Sequence, residues 1–293
     1  MNVYKKLEVS DIETLYPFFN KYKKHICDFT VGGLLMWRDW YDTYFYIKDD
    51  ILYIRAKLDG NTVFTFLGND NVKAVGNIIK ACEQNSIPFE LCSVTQRVLD
   101  DITPVYCLDA QPQRDLFDYI YDANDITTLS GRKYNGQRNH INRFKKTYPD
   151  WSFDEITCEN RTQALEFYTA YKAERLKAFE AASEESNKVI EALRHFCEYH
   201  LFGAVLRAKG KIVGISLGEI VGDMLFVHIE KGLTEYSGVY PMLVNCFAQK
   251  FVTPDVKYIN REEDEGDEGL RTSKLSYHPL LLKEKYKVTL KKA

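Results

Sequence analysis

Residues 202–232, FGAVLRAKGKIVGISLGEIVGDMLFVHIEKG, decide how the chain is read. Three runs, FGAVLRA (202–208), KIVGISLGEI (211–220) and DMLFVHIE (223–230), are rich in β-branched and apolar residues and are separated by Lys-Gly and Val-Gly pairs. Glycine supplies the positive φ of a tight hairpin turn, so the pattern predicts three antiparallel strands in a meander. Residues 210–229 are also the best candidate for a membrane span, but Glu219 and Asp223 interrupt them. No transmembrane segment is expected.

Outward from the meander, helical periodicity is read at roughly 161–177 and 184–200 before it and in VYPMLVNCFAQKF (239–251) after it, followed by the strand VKYIN (256–260). The first part of the chain repeats this order. A helix around 10–24 leads to strands at 44–48, 51–57 and 62–68, a helix at 71–85 with Val72, Val75, Ile78, Ile79 and Cys82 on one face, and the strand PFELCSV. The expected fold is α+β, two tandem units, each a mixed, largely antiparallel sheet flanked by helices. The units are placed at 1–125 and 126–293, joined across the polar LDAQPQRD and the strand-like FDYIYD.

The 293 residues are 45% hydrophobic, with 20 Tyr and 17 Phe, enough for a substantial aromatic core. The amino-terminal residues lack a signal-peptide apolar run, which predicts a cytoplasmic protein, with peripheral membrane contact left open. Seven cysteines without a CxxC pair are expected as buried free thiols. Oligomeric state is not legible.

Three blocks carry candidate chemistry. In IEKGLTEYSGVYPMLVN a strand ending at Glu230 meets a helix starting near Val239, and the amides of Ser237, Gly238, Val239 and Tyr240 form a candidate phosphate site. Ordinary capping is the competing reading of that turn. LSGRKYNGQRNHINRFKKTY (129–148) contains six Lys or Arg and no acid. As a helix it puts Tyr134, Ile141, Phe144 and Tyr148 on one side, and Arg132, Lys133, Arg138 and His140 are the candidate phosphate contacts. A solvated basic face competes with this, and a pI near 6.1 argues against a protein coated in nucleic acid.

In YINREEDEGDEGLRTSKLSYHP (258–279), six of the seven residues from Glu262 to Glu268 are acids. Asp267 and Glu268 read as the charged start of a short helix. Asn260, Arg261, Glu262 and Glu263 are expected to face the same opening as Glu230 and to bind substrate, with Glu230 and Glu262 polarising or deprotonating a nucleophile and Tyr277 protonating the leaving group. The run lacks EF-hand spacing, so no metal is predicted.

Antiparallel strands leading into a phosphate-ready helix resemble the way GNAT-type acyltransferases hold coenzyme A, although the glutamine- or arginine-led, glycine-rich signature of that family is absent. The blocks LSGRKYNGQRNHINRFKK, LFVHIEKG and YINREEDEGDEGLRTSKLSYHP together resemble a bacterial family similar to the C-terminal domain of phosphatidylglycerol lysyltransferases, relatives of the Fem-type transferases. The resemblance implies a tandem GNAT-like fold and transfer of an aminoacyl group from a charged tRNA to a lipid. Those enzymes also carry a membrane-embedded N-terminal region, which this chain is expected to lack. The expectation is therefore a soluble acyltransferase with no tightly bound cofactor. Its donor would be acyl-CoA or aminoacyl-tRNA, and its acceptor a small-molecule or lipid-headgroup amine or hydroxyl. The alternative is a non-catalytic ligand-binding protein that retains the fold.

Overall fold

The computed structural model describes residues 4–176 and 183–291. The chain divides into two compact units: Met1–Asp118 with Glu263–Arg271 and Leu282–Ala293, and Tyr119–Glu262 with Thr272–Leu281.

In the first unit the strands are β1 (Lys5–Lys6), β2 (Tyr44–Lys48), β3 (Ile51–Leu58), β4 (Asn61–Gly68), β5 (Glu90–Val94) and β6 (Leu108–Pro112). The β2–β3 and β3–β4 turns are Asp49-Asp50 (φ +52°, +59°) and Asp59-Gly60 (φ +49°, +79°), two-residue turns with both residues left-handed. The helix Asn71–Asn85 starts where Asp70 accepts the Lys73 amide at 2.8 Å, buries Ala74, Val75, Ile78 and Cys82, and returns the chain as β5, parallel to β4. The last strand, Tyr286–Leu290, lies between β5 and β6 and is antiparallel to both.

The second unit holds β7 (Asp118–Asp122), β8 (Ser152–Glu155), β9 (Phe202–Ala208), β10 (Lys211–Val221), β11 (Met224–Gly232) and β12 (Tyr258–Asn260). The order of this second sheet is Leu281–Lys283, β7, β12, β11, β10, β9, β8. Again a meander, β9–β11, feeds a helix, Val239–Phe251, and a parallel strand, β12. That helix buries Met242, Leu243, Val244 and Phe247, each worth roughly 1.5–3 kcal/mol of removed apolar surface. The predicted amphipathic segment forms the helix Asn135–Thr147, with Tyr134, Ile141, Phe144 and Tyr148 all buried.

Two expectations are corrected. A division at 125/126 assigns the C-terminus to the second unit, whereas residues 263–271 and 282–293 belong with the first. The cause is the final strand, whose Val288 is fully buried in the first unit's core beside Leu91 and Val94. Nor are all cysteines free thiols: Cys158 and Cys197 form a disulfide across 39 residues, a separation with no sequence signature.

Gly218 on β10 sits where β10 and β11 slip register, and a Cβ there would lie 2.1 Å from the Phe226 carbonyl oxygen. Gly218→Ala is expected to cost about 1–3 kcal/mol in urea denaturation, because the two strands must part to admit the methyl. An unchanged midpoint would mean that the bulge does not need glycine.

Candidate active site

The slip places the site. Ser216 pairs with Glu230 and Leu217 with Ile229, but Gly218 pairs with Val227, leaving His228 as the extra residue of a β-bulge. Beyond it, Glu219 pairs with Phe226. Ser216 and Glu219 are three residues apart on β10, which pairs regularly with β9 from Gly214 to Gly218, so they point to opposite faces. The bulge therefore puts Glu230 on one face of the sheet and His228 on the other. Glu230 shares the face packed by the helix Val239–Phe251, since a Cβ on Gly232 would touch Val239 at 2.8 Å.

β12 pairs with β11 only as far as Asn260 opposite Phe226, while β11 continues to Gly232. Past that point the next two residues of the chain alternate in direction. Arg261 reaches Glu230, with Nη2 and Nε 2.6 and 3.1 Å from Oε2. Glu262 reaches His228, its Oε1 lying 2.7 Å from Nδ1, while Nε2 lies 2.9 Å from Glu219 Oε1. The expectation that Arg261, Glu262 and Glu230 share one opening is thus corrected: two ion pairs flank the sheet at the end of β12.

His228 and Glu219 are buried, with side chains 2% and 3% exposed, and Glu262 is 25% exposed. Burial pulls the imidazolium pKa down, but hydrogen bonds and charge from Glu219 and Glu262 outweigh it and push it up to about 10. With a side-chain oxygen of Glu219 or Glu262 at each ring nitrogen, both N–H groups donate and the ring is a cation at neutral pH. It is an electrostatic support for Glu262 and not a base.

Glu262 adopts φ +58°. Its amide donates to Asn260 Oδ1 at 2.7 Å and its carbonyl accepts from Tyr119 N at 3.2 Å. Asn260, expected at the ligand, is fully buried and holds this turn. The Arg261 carbonyl accepts from Lys274 Nζ at 2.6 Å. The Arg261 guanidinium lies 4.9 Å from the Tyr277 ring, and its buried Nη1 has no partner among the described residues. Tyr277 is 4% exposed; burial raises its phenol to about 12, with Arg261 opposing, so it keeps its proton at neutral pH.

The rest of the acidic block goes elsewhere. Glu263 belongs to the first unit, 3.1 Å from Cys27 Sγ and 3.5 Å from Lys285 Nζ. Asp264 is fully buried and pairs with Arg114 and Arg271. Asp267 caps the helix Glu268–Leu275 by accepting the Leu270 amide at 2.7 Å, as its position predicts. Among the described residues, the grouping with metal-ligand spacing is Cys27, Asp118 and Glu263 in the first unit. Lys285 Nζ lies 2.7 Å from Asp118 and 3.3 Å from Cys27 Sγ, so an ammonium already stands where a cation would.

The Val239 amide donates to Tyr236 O at 2.9 Å and Pro241 has no amide, while those of Ser237, Gly238 and Tyr240 make no backbone hydrogen bond among the described residues. Ser237 is exposed. Gly238, at φ +91°, packs so closely on the helix Asn135–Thr147 that a Cβ would lie 2.6 Å from His140 O. In the basic segment Arg132 and the His140 side chain are exposed. Lys133 is instead paired with Asp125 at 2.7 Å, and Arg138 donates to the carbonyls of Leu129 and Gly131, at 2.8 Å to the latter.

Sequence reasoning missed His228 and the role of Glu219. Their signal was two ionisable residues inside otherwise apolar strands.

The raised pKa fixes a pH signature. The unfolded imidazole titrates near 6.5 and the folded one near 10, so its stabilisation is complete below about pH 6.5 and is lost as pH rises toward 10. Relative to His228→Gln, the wild type is expected to lose on the order of a few kcal/mol between pH 7 and 10 in denaturation curves. Parallel pH profiles would contradict the bridge.

A family model described as phosphatidylglycerol lysyltransferase, C-terminal, matches residues 19–289. The chain is 33% identical to a conserved protein of unknown function from Bacteroides thetaiotaomicron, with a TM-score of 0.92 over 99% of this chain and 100% of that one. The L-PGS structure from Bacillus licheniformis superposes with a TM-score of 0.70 at 15% identity, covering 96% and 92% of the two chains. An uncharacterised protein of Mycoplasmoides gallisepticum is 26% identical over 183 residues, 58% of this chain, and the match spans 55% of that protein's length. Among the described residues no helix is long and apolar enough to cross a membrane. With a family match running almost end to end, the chain belongs to the phosphatidylglycerol lysyltransferase C-terminal family.

Proposed function

We propose that the second unit is an acyltransferase that moves an acyl or aminoacyl group from a phosphate-containing donor to an amine or hydroxyl. The observation that carries this reading is Glu262, a partly exposed carboxylate fixed at a left-handed turn and backed by the charged His228. The acceptor's nucleophile attacks the acyl carbonyl and passes its proton to Glu262. The Arg261–Glu230 pair lies on the other face of the sheet and makes no contact with the reacting carbonyl; it fixes the strand end from which Glu262 projects. Collapse breaks the donor ester or thioester, and Glu262 returns the proton it took to the departing oxygen or sulfur; Tyr277, buried against Arg261 on the other face, is not placed to do so.

The helix start at Ser237–Tyr240, where three amides make no backbone hydrogen bond, suits a phosphate of either donor, acyl-CoA or aminoacyl-tRNA. Exposed Arg132 and His140, with Lys133 and Arg138 shaping the segment, are the proposed contacts to the tRNA backbone. A small molecule or a lipid headgroup is the acceptor, placing the protein in the cytoplasm or at the membrane periphery. The absence of the glycine-rich coenzyme A signature supports a second reading, a ligand-binding protein without turnover.

Purified protein supplied with radiolabelled aminoacyl-tRNA or acyl-CoA and a panel of amine and lipid acceptors tests the proposal. Glu262→Gln is expected to lower kcat by roughly 10²–10⁴-fold with little change in KM. Donor binding without turnover across the panel would favour the second reading, and full activity in Glu262→Gln would remove its assigned role.

A further inference from the structure

The first unit contains a cleft of its own, with about 210 Å³ of internal space and lined only by residues of that unit. One face of the β3–β4 hairpin forms its wall. Ile54, Ala56 and Leu58 alternate along β3, and Val63 sits opposite Ala56 on β4. The other face of the hairpin, with Tyr53 and Phe64, belongs to the core. The wall is therefore apolar, and its Ile54 and Val63 are themselves nearly fully buried.

The floor is polar and built. Lys285, 3% exposed, holds Asp28 at 2.6 Å, Asp118 at 2.7 Å and Glu263 at 3.5 Å. Asp118 is fully buried, while Asp28 and Glu263 are 28% and 22% exposed and line the cleft. Three carboxylates thus surround one ammonium, which also donates to Cys27 Sγ at 3.3 Å. Ser93 Oγ donates to Asp28 Oδ1 and Cys27 Sγ to Glu263 Oε2 at 3.1 Å; with about four acceptor sites per carboxylate, the floor retains acceptors beyond these bonds.

The neighbours respond to this excess of negative charge. Burial, Glu263 and Asp28 raise Asp118 to about 6 against the pull of Lys285. Burial and then Glu263, Glu265 and Asp28 raise the Tyr41 phenol to about 12. The other lining cations are engaged, Lys287 with Glu90 at 2.8 Å and Lys57 with Thr62 at 2.9 Å.

We propose that this cleft is a binding site for a primary amine on a compact apolar body, the ammonium resting on Asp28 and Glu263 and the hydrocarbon against Ile54, Ala56, Leu58 and Val63. The volume lies below the roughly 300–1,000 Å³ of pockets for larger ligands, which limits the occupant to a small molecule. This site does not depend on the reading of the second unit.

The experiment is calorimetric titration of the full chain with hexylamine, hexanol and hexanoate, each matched in hydrocarbon length. Hexylamine is expected to bind at least tenfold more tightly than the alcohol and the carboxylate. Asp28→Asn should weaken it about tenfold, as loss of one charge-assisted hydrogen bond predicts. Ala56→Phe, which fills the cleft from its wall and leaves the floor intact, should abolish binding while the melting profile stays cooperative. Equal binding of the three probes, no binding of hexylamine, or binding indifferent to Ala56→Phe would each overturn the proposal.

Discussion

The second unit depends on one interaction, an imidazolium held between two carboxylates at a β-bulge. Burying three ionisable groups costs several kcal/mol per ion, and only close pairing offsets it. Glu219 and Glu262 supply that pairing to His228 at 2.9 and 2.7 Å. The bulge exists because Gly218 lets the Phe226 carbonyl approach, and it reverses which face the end of β11 presents. From that reversal follows the separation of the Glu262–His228 pair from the Arg261–Glu230 pair on consecutive residues of one chain.

Both units place a buried cation among carboxylates. In the first, Lys285 gathers three acids beneath an apolar cleft; in the second, His228 bridges two beside the end of a parallel strand pair. Replacing such groups by hydrocarbon would as a rule be neutral or stabilising. Their presence in each copy of the meander-helix-strand unit is consistent with two ligand-facing sites of different chemistry.

Much of the fold was legible because period-2 and period-3.6 patterns are local. The helix Asn71–Asn85 and the strand Tyr44–Lys48 coincide with their sequence readings, and Lys209-Gly210 forms the turn its composition predicts. The return of Tyr286–Leu290 to the first sheet was not legible, since strand pairing across the whole chain leaves no local mark. The site was half legible. Glu230, Arg261 and Glu262 were named, but the bulge that sends them to opposite faces is a register event between two strands, invisible in either alone. Lys133 and Arg138 looked available because their partners, Asp125 and the Leu129 and Gly131 carbonyls, are found only in the folded turn.

The central claim is that His228 is a cation at neutral pH. Nitrogen-15 NMR of histidine-labelled protein, with His228→Gln to assign the resonance, reads the protonation of each ring nitrogen directly. The account predicts two protonated nitrogens through about pH 8 and a titration near 10. A neutral ring at pH 7, with one nitrogen bare, would contradict it.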